Sequence, residues 1–395
     1  MTTITFGAGF SFGVFLPLWR ESFGWSSTVI SGAYSLLLFF YTTMGIFAGW
    51  GVDRYGPRKT TMAGGFFLSL GLLLTTQVQF VWQLYFAYLL IGTGMSSAYS
   101  PLMATVSRWF THRKGLALGI IGSGIGVGPL IMAPLAAHIV FNYGWRFCFL
   151  VMACAAGLIV PAALFLKKSP EEEGILDQGE KGNSMVHLPQ NRPARGLSES
   201  TDLSLKEALN TKAFWILVSM FLLVGAGIQM VMAHIVACAV DRGIPAITAA
   251  AMLSTITGSS IAGRILIGML SDRIGRKRTL AISVCAEGVA ILGLACASSP
   301  WMLFALAATL GFGYGGHGTQ LPALTGETLG LSHMGAILGA ITFFWGLGGA
   351  LGTVLAGYAY DITSSYVSAF LVAGAAMLTV TIPTFLLRRP VRMKI

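Results

Sequence analysis

One short charged pattern occurs twice in the chain. Gly49-Trp-Gly-Val-Asp53-Arg54-Tyr-Gly56-Pro-Arg58-Lys59 recurs 219 residues later as Gly268-Met-Leu-Ser-Asp272-Arg273-Ile-Gly275-Arg276-Lys277-Arg278. Each copy has the form GxxxDRxG plus basic residues, and each sits between two long apolar runs. A doubled charged loop inside apolar sequence points to a duplicated membrane protein. Composition agrees: only 10% of the 395 residues are charged and 55% are hydrophobic, whereas a soluble domain carries about 25% charged residues.

Backbone groups in lipid must be satisfied within their own segment, so the spans are helices. An outer-membrane barrel would show alternating strands of about ten residues instead. About 20 apolar residues cross a ~30 Å hydrocarbon core. The sequence holds twelve such runs, at residues 3–19, 27–50, 60–79, 81–106, 115–140, 145–166, 212–240, 245–270, 279–297, 301–325, 334–359 and 366–387. They are numbered here as spans 1 to 12. Span 1 is short and lacks a basic n-region and a cleavage site. It reads as a span shortened at its start, not as a signal peptide.

A net charge of +10 could suggest nucleic acid, but its placement argues otherwise. Of 25 Lys and Arg, 21 lie in the loops after even-numbered spans, in the central polar stretch or in the tail. Arg20, Arg146 and Arg242 lie on the other side, and Arg264 lies inside span 8. This is the positive-inside pattern of a multi-pass protein with both termini cytoplasmic, expected in a plasma (bacterial inner) membrane. The surplus also favours anionic lipid. The five cysteines all fall within spans and form no disulfide framework or metal spacing.

Residues 167–211 interrupt the apolar pattern with Pro, Gly, Ser and charge. The chain thus divides into an N-terminal six-helix half (1–166), a cytoplasmic linker (167–211) and a C-terminal six-helix half (212–395). Residues 204–215 at the linker's end read as a short amphipathic surface helix. The fold expected is all-α: twelve transmembrane helices in two pseudo-symmetric halves. Such repeats place a substrate site near mid-membrane, between halves that rock. No cofactor motif appears: the glycine runs at 119–128 and 335–357 lack the strand and the Gly-Lys-Ser/Thr of a phosphate loop. Nor is an enzyme expected, since no HExxH, GxSxG or carboxylate pair lies in a span. A ligand-sensing role for the linker has no output domain to support it. Spans 3, 6, 9 and 12 have no association motif strong enough to argue a dimer, so a monomer is expected.

Arg264 stands out. It lies eight residues before Asp272, about 12 Å inside the span at ~1.5 Å per residue. An intramembrane charge costs at least ~2.5–3.5 kcal/mol, so it faces a cavity or a partner. Thr257, Ser260 and Arg264 share a helix face, and a guanidinium fork matches a carboxylate. The alternative is a fixed acid or carbonyl partner that ties two helices together. Tyr34 and Tyr41, seven residues apart, share a face of span 2, and Tyr99, Tyr314 and Trp345 could complete an amphipathic pocket around an apolar substrate tail. For a coupled proton the titratable candidates are His234, His317 and Asp241. Glu287, in span 9, reads as a structural hydrogen bond.

The doubled loop, Ser11-Phe-Gly-Val-Phe15, Phe23-Gly-Trp25-Ser and an Arg in span 8 resemble the major facilitator superfamily. Within it they resemble the monocarboxylate transporters and the bacterial oxalate/formate exchangers. The resemblance implies a transporter in which Arg264 binds a small carboxylate anion, lactate- or pyruvate-like, moved with a proton. It also implies a cytoplasmic charge latch of Asp53, Arg54 and Arg58 with Asp272, Arg273 and Arg276. This chain departs from the animal members at two positions. Ser260 stands where they carry an Asp, and Phe10 where they carry a Lys. The exchanger's span 11 Lys is also missing, since no Lys or Arg occurs between 334 and 387. Anion exchange and efflux of apolar drugs are the alternatives.

Overall fold

In the computed structural model each doubled loop is two helices meeting end to end at a glycine. The structure describes residues 1–97, 102, 114–166, 203–297, 299–330 and 334–387. Gly56 has φ 84°, ψ 162°, and Gly275, its counterpart, has φ 90°, ψ 153°. This region of backbone space is essentially open to glycine alone. The last Gly of GxxxDRxG is therefore required by the turn itself. Arg54 and Arg273 fall in the last turn of one helix, where a cation suits the negative end of the dipole. The basic residues that follow open the next helix. The hairpins at the other end of the molecule repeat the device: Gly24 (φ 68°) and Gly243 (φ 82°) are also 219 residues apart.

The helices follow the expected order with shifted ends. Span 1 runs Thr2–Phe23, longer than the 3–19 read from sequence, with a break at Ser11. Ser27–Thr75 is one helical stretch divided at Gly56 into spans 2 and 3. Pro57 opens span 3, because its missing N–H is an unpaired first-turn donor in any helix. Span 4 is described over Val81–Ser96, span 5 over Lys114–Tyr143 and span 7 over Lys212–Asp241. Spans 8 and 9 are Ala246–Ile274 and Arg276–Cys296. Spans 10 and 11 are Pro300–Leu329 and Met334–Thr363. Spans 6 and 12 each break three residues before a proline, at Leu158 before Pro161 and at Val380 before Pro383. A helical proline removes one ladder bond and crowds the preceding turn. Among the described residues, nine helices are long and apolar enough to cross a membrane. The remaining rods lie where spans 3, 4 and 10 are expected.

Large apolar side chains stay exposed around the bundle, including Phe47, Trp82, Phe141, Leu351 and Val372. They form the surface that lipid wets. Trp19 departs from the interfacial place its position suggests. It is fully buried, stacked on Phe149 and edge-on to Trp145, because span 1 continues past it. The surface helix is one turn, Leu205–Leu209, shorter than 204–215. Ser204 and Glu207 cap it reciprocally.

Below, "the basic end" is the end carrying the doubled loops. The halves meet along three seams, between spans 1 and 7, 2 and 11, and 5 and 8. Glycines let backbones touch there. A side-chain carbon at Gly126 would lie 3.0 Å from the Thr257 carbonyl, and one at Gly13 would lie 3.1 Å from that of Ala233. Toward the basic end contact stops: nothing lies within 4 Å of such a carbon at Gly45, Gly49, Gly268, Gly335 or Gly339.

Gly275→Ala is expected to cost roughly 1–3 kcal/mol through backbone strain alone, since the space beside it is open. Gly268→Ala, in the same motif but helical, should be neutral or slightly stabilising. Thermal unfolding of the two variants in detergent measures the contrast.

Candidate functional site

The deepest described polar contact between the halves toward the basic end is made by Arg264. Its Nη1 donates to the Gly122 carbonyl in span 5 at 2.8 Å. The guanidinium carbon lies 6.0 Å from the Tyr314 ring centre, within cation–π reach. Gly122 belongs to the glycine-rich part of span 5, whose lack of side chains brings that backbone close to span 8. Among the described residues no carboxylate lies within 4.0 Å of Arg264. The bond to Gly122 uses one of five N–H groups, so the guanidinium keeps donors beyond that single contact.

Tyr34 is buried one helix away. Its hydroxyl donates to Gln229 Oε1 at 3.2 Å and its ring stacks on Phe12 at 4.7 Å. Gln229, 2% exposed in the middle of span 7, joins the halves at mid-depth. It was missed in the sequence, where one amide in an apolar run was the available signal. Tyr41 is half-buried and meets Phe6 edge-on at 6.0 Å. Trp345 is half-buried, with its backbone pressed onto Gly225. Ser260 keeps to the side of span 8 that faces span 5, where its hydroxyl lies beside Gly126. It is fully buried and its hydroxyl turns back onto the Thr257 carbonyl at 2.7 Å. Its backbone carbonyl packs on Gly315 of span 10. Tyr99 lies outside the described residues.

The three titratable candidates part company. Asp241 is held by Arg20 across the seam of spans 1 and 7, and both carboxylate oxygens face the guanidinium. His317 turns away from the seam to Glu287 of span 9, with Nδ1 2.6 Å from Oε1; both are buried. In a low-dielectric interior this pair is neutral only when it holds one proton between its members. Glu287 is thus the structural hydrogen bond expected, and His317 is its partner. His234 is fully buried on the seam, its Nε2 2.9 Å from the Thr353 carbonyl and 3.3 Å from Ser31 Oγ. A carbonyl only accepts, so Nε2 carries the hydrogen.

At the basic end the expected latch is not engaged across the halves among the described residues. Arg54 lies over the rings of Trp50 and Tyr55, at 5.3 and 5.7 Å. Arg58, Asp272 and Arg273 are exposed. Arg276 pairs with Glu327 of its own half at 2.5 Å. The Asp53 side chain lies outside the described set.

Among the described residues, spans 1, 2 and 5 pack on spans 7, 11 and 8, five glycine positions toward the basic end meet no neighbour, and a guanidinium lies between spans 5 and 8. A family model for the major facilitator superfamily matches residues 1–268 and 235–394. The chain belongs to the major facilitator superfamily. It is 29% identical over 341 residues to monocarboxylate transporter 13 of Bos taurus, covering 84% of this chain and 75% of that one. It is 27% identical over 352 residues to monocarboxylate transporter 12 of Mus musculus, with 84% and 72% covered. Among solved structures it resembles the nucleoside transporter NupG, with a TM-score of 0.73 over 98% of both chains at 12% identity. That likeness establishes the fold. Together these findings make the chain a non-enzymatic membrane transporter.

Removing one member of a buried ion pair costs more than replacing both. His317→Leu alone is therefore expected to destabilise by about 3–5 kcal/mol, and Glu287→Leu with His317→Leu by clearly less. Thermal unfolding of the four proteins of this cycle checks the sign of the coupling.

Proposed function

We propose that the chain carries a small monocarboxylate, lactate- or pyruvate-like, by alternating access and together with a proton. The observation that carries this reading is the Arg264 guanidinium. It sits between the halves at mid-depth, tied to one carbonyl and facing no carboxylate among the described residues. A planar fork in low dielectric is a strong site for a carboxylate. The relatives' printed names, monocarboxylate transporters 12 and 13, favour the same substrate class. Tyr314 lies beside the guanidinium, and we take Tyr34, Tyr41 and Trp345 as further walls for a short apolar tail.

We read the basic end as cytoplasmic, because 21 of 25 Lys and Arg gather there and in the linker and tail. The structure then corresponds to the inward-facing state. Asp53, Arg54 and Arg58 would meet Asp272, Arg273 and Arg276 when the basic end closes. Moving an unpaired anion through the membrane is expensive, and a co-bound proton cancels that charge. With Asp241 engaged by Arg20 and His317 by Glu287, we assign the coupling to His234, which alone of the three lies buried on the seam.

Uptake of labelled lactate or pyruvate into proteoliposomes tests the reading. An inward proton gradient is expected to stimulate uptake. Arg264→Ala should reduce it by roughly 10- to 100-fold, the equivalent of about 1.5–3 kcal/mol for a charged hydrogen bond. Arg264→Lys should recover little, for want of the fork. His234→Gln should abolish the stimulation but leave exchange of labelled for unlabelled substrate. Full transport by Arg264→Ala would refute the carboxylate site, and gradient-independent exchange by the unaltered protein would replace symport with antiport.

A further inference from the structure

The closed end is fastened by contacts that none of the expected motifs supplies. Span 2 begins at Ser27, and its own cap is thin: Ser26 Oγ accepts from Val29 N at 3.3 Å. The amides of Ser27 and Thr28 remain as first-turn donors without an intrahelical partner. Asp361, at the end of span 11 in the other half, fills that place. Its Oδ1 accepts from Ser27 N at 2.7 Å, and its Oδ2 from Thr28 N at 2.8 Å and from Thr28 Oγ1 at 2.5 Å. The positive end of the span 2 dipole adds to the attraction. Beside it, Arg20 of span 1 pairs with Asp241 of span 7 and lies over the ring of Tyr360, 4.5 Å from its centre. Tyr360 is the residue before Asp361, so the two contacts form one cluster. Just below, Ser31 reaches His234 and Ser35 donates to the Ala350 carbonyl at 2.6 Å.

The internal repeat supplies a control within the molecule. Shifted by 219, Asp361 falls on Asn142 at the end of span 5, and Ser27 on Ala246 at the start of span 8. There the latch is missing. Asn142 donates to the His138 carbonyl of its own helix at 2.8 Å, and span 8 opens at Pro245 with no side-chain cap. The seam of spans 5 and 8 is held lower down, by Ser254 on the Leu130 carbonyl at 2.9 Å and by Arg264 on Gly122. Only one of the two related seams carries charge at the closed end.

We propose that Asp361 is a detachable helix cap and, with the Arg20–Asp241 pair, forms the gate at the end opposite the doubled loops. Closed, the carboxylate of one half satisfies the helix start of the other. Opened, the Ser27 and Thr28 amides and the three charged side chains all pass to water. None is then left buried and unpaired, so the gate separates without stranding a polar group. The seam of spans 2 and 11 parts, and that of spans 5 and 8 serves as the hinge. This assignment depends on neither the substrate nor the proton site proposed above.

Ser31→Cys, fully buried behind the cap, reports the gate. A membrane-impermeant maleimide is applied to each face in turn, with the native-cysteine protein as background. Asp361→Ala and Arg20→Gln are each expected to speed labelling roughly tenfold or more, only from the face opposite the basic end. Asn142→Ala, at the repeat-related position, should leave it unchanged. Exchanging the pair, by Arg20→Asp with Asp241→Arg, should restore slow labelling. Equal labelling with and without Asp361, an equal gain in Asn142→Ala, or a gain from both faces would each overturn the proposal. The readout needs no transport, so it stands or falls apart from the carboxylate reading.

Discussion

In hydrocarbon, a backbone carbonyl or amide has no water to fall back on. That constraint makes every span a helix, and it also decides where the chain can turn and where two helices can meet. At the doubled loops one residue takes the whole change of direction, hence Gly56 and Gly275, both with a positive φ. Several contacts between halves use backbone groups that a neighbour can still reach. Arg264 on the Gly122 carbonyl, Ser35 on that of Ala350 and Asp361 on the Ser27 and Thr28 amides are all of this kind.

Much of the scaffold was legible because duplication repeats a backbone requirement as well as residue types. The glycine that ends GxxxDRxG and the glycines of the opposite hairpins keep one 219-residue spacing and a positive φ. The depth of Arg264 could be counted from Asp272, since helix rise is fixed. Contacts between distant spans could not be counted in this way. Arg20 and Asp241 are separated by 221 positions, and Ser27 and Asp361 by 334. In the sequence each looks like a solvated charge at a span end. For Ser260, helix-face spacing points to the right side of span 8, but it does not say whether a hydroxyl is free or back-bonds to its own helix.

Glu287 and His317 illustrate the limit of reading titratable residues singly. Alone in an apolar span, His317 suggests a proton site, whereas Glu287 reads as a structural hydrogen bond. Placed 2.6 Å apart and buried, they partner one another through Nδ1 and Oε1. His234 looks no different in sequence from His317, yet its ring meets a carbonyl and a hydroxyl from two spans on opposite sides of the seam. What separates the two histidines is which neighbouring helix each faces.

The duplication supplies two matching bodies, and the departures from it supply direction. Along spans 2 and 11 the contacts run from Asp361 through Ser35 and Ala350 to the rings of Phe39 and Phe343, 5.9 Å apart. Beyond them Gly45, Gly49, Gly335 and Gly339 face open space. Small residues on both sides let those faces approach closely when the basic end shuts. Spans 5 and 8 are bonded at two depths, by Ser254 and by Arg264. A rotation that opens one end of the first seam and closes the other therefore disturbs the second seam least, and Arg264 sits on it. Under the proposed reading, binding at that guanidinium would act on a contact beside the proposed hinge, the hydrogen bond to Gly122.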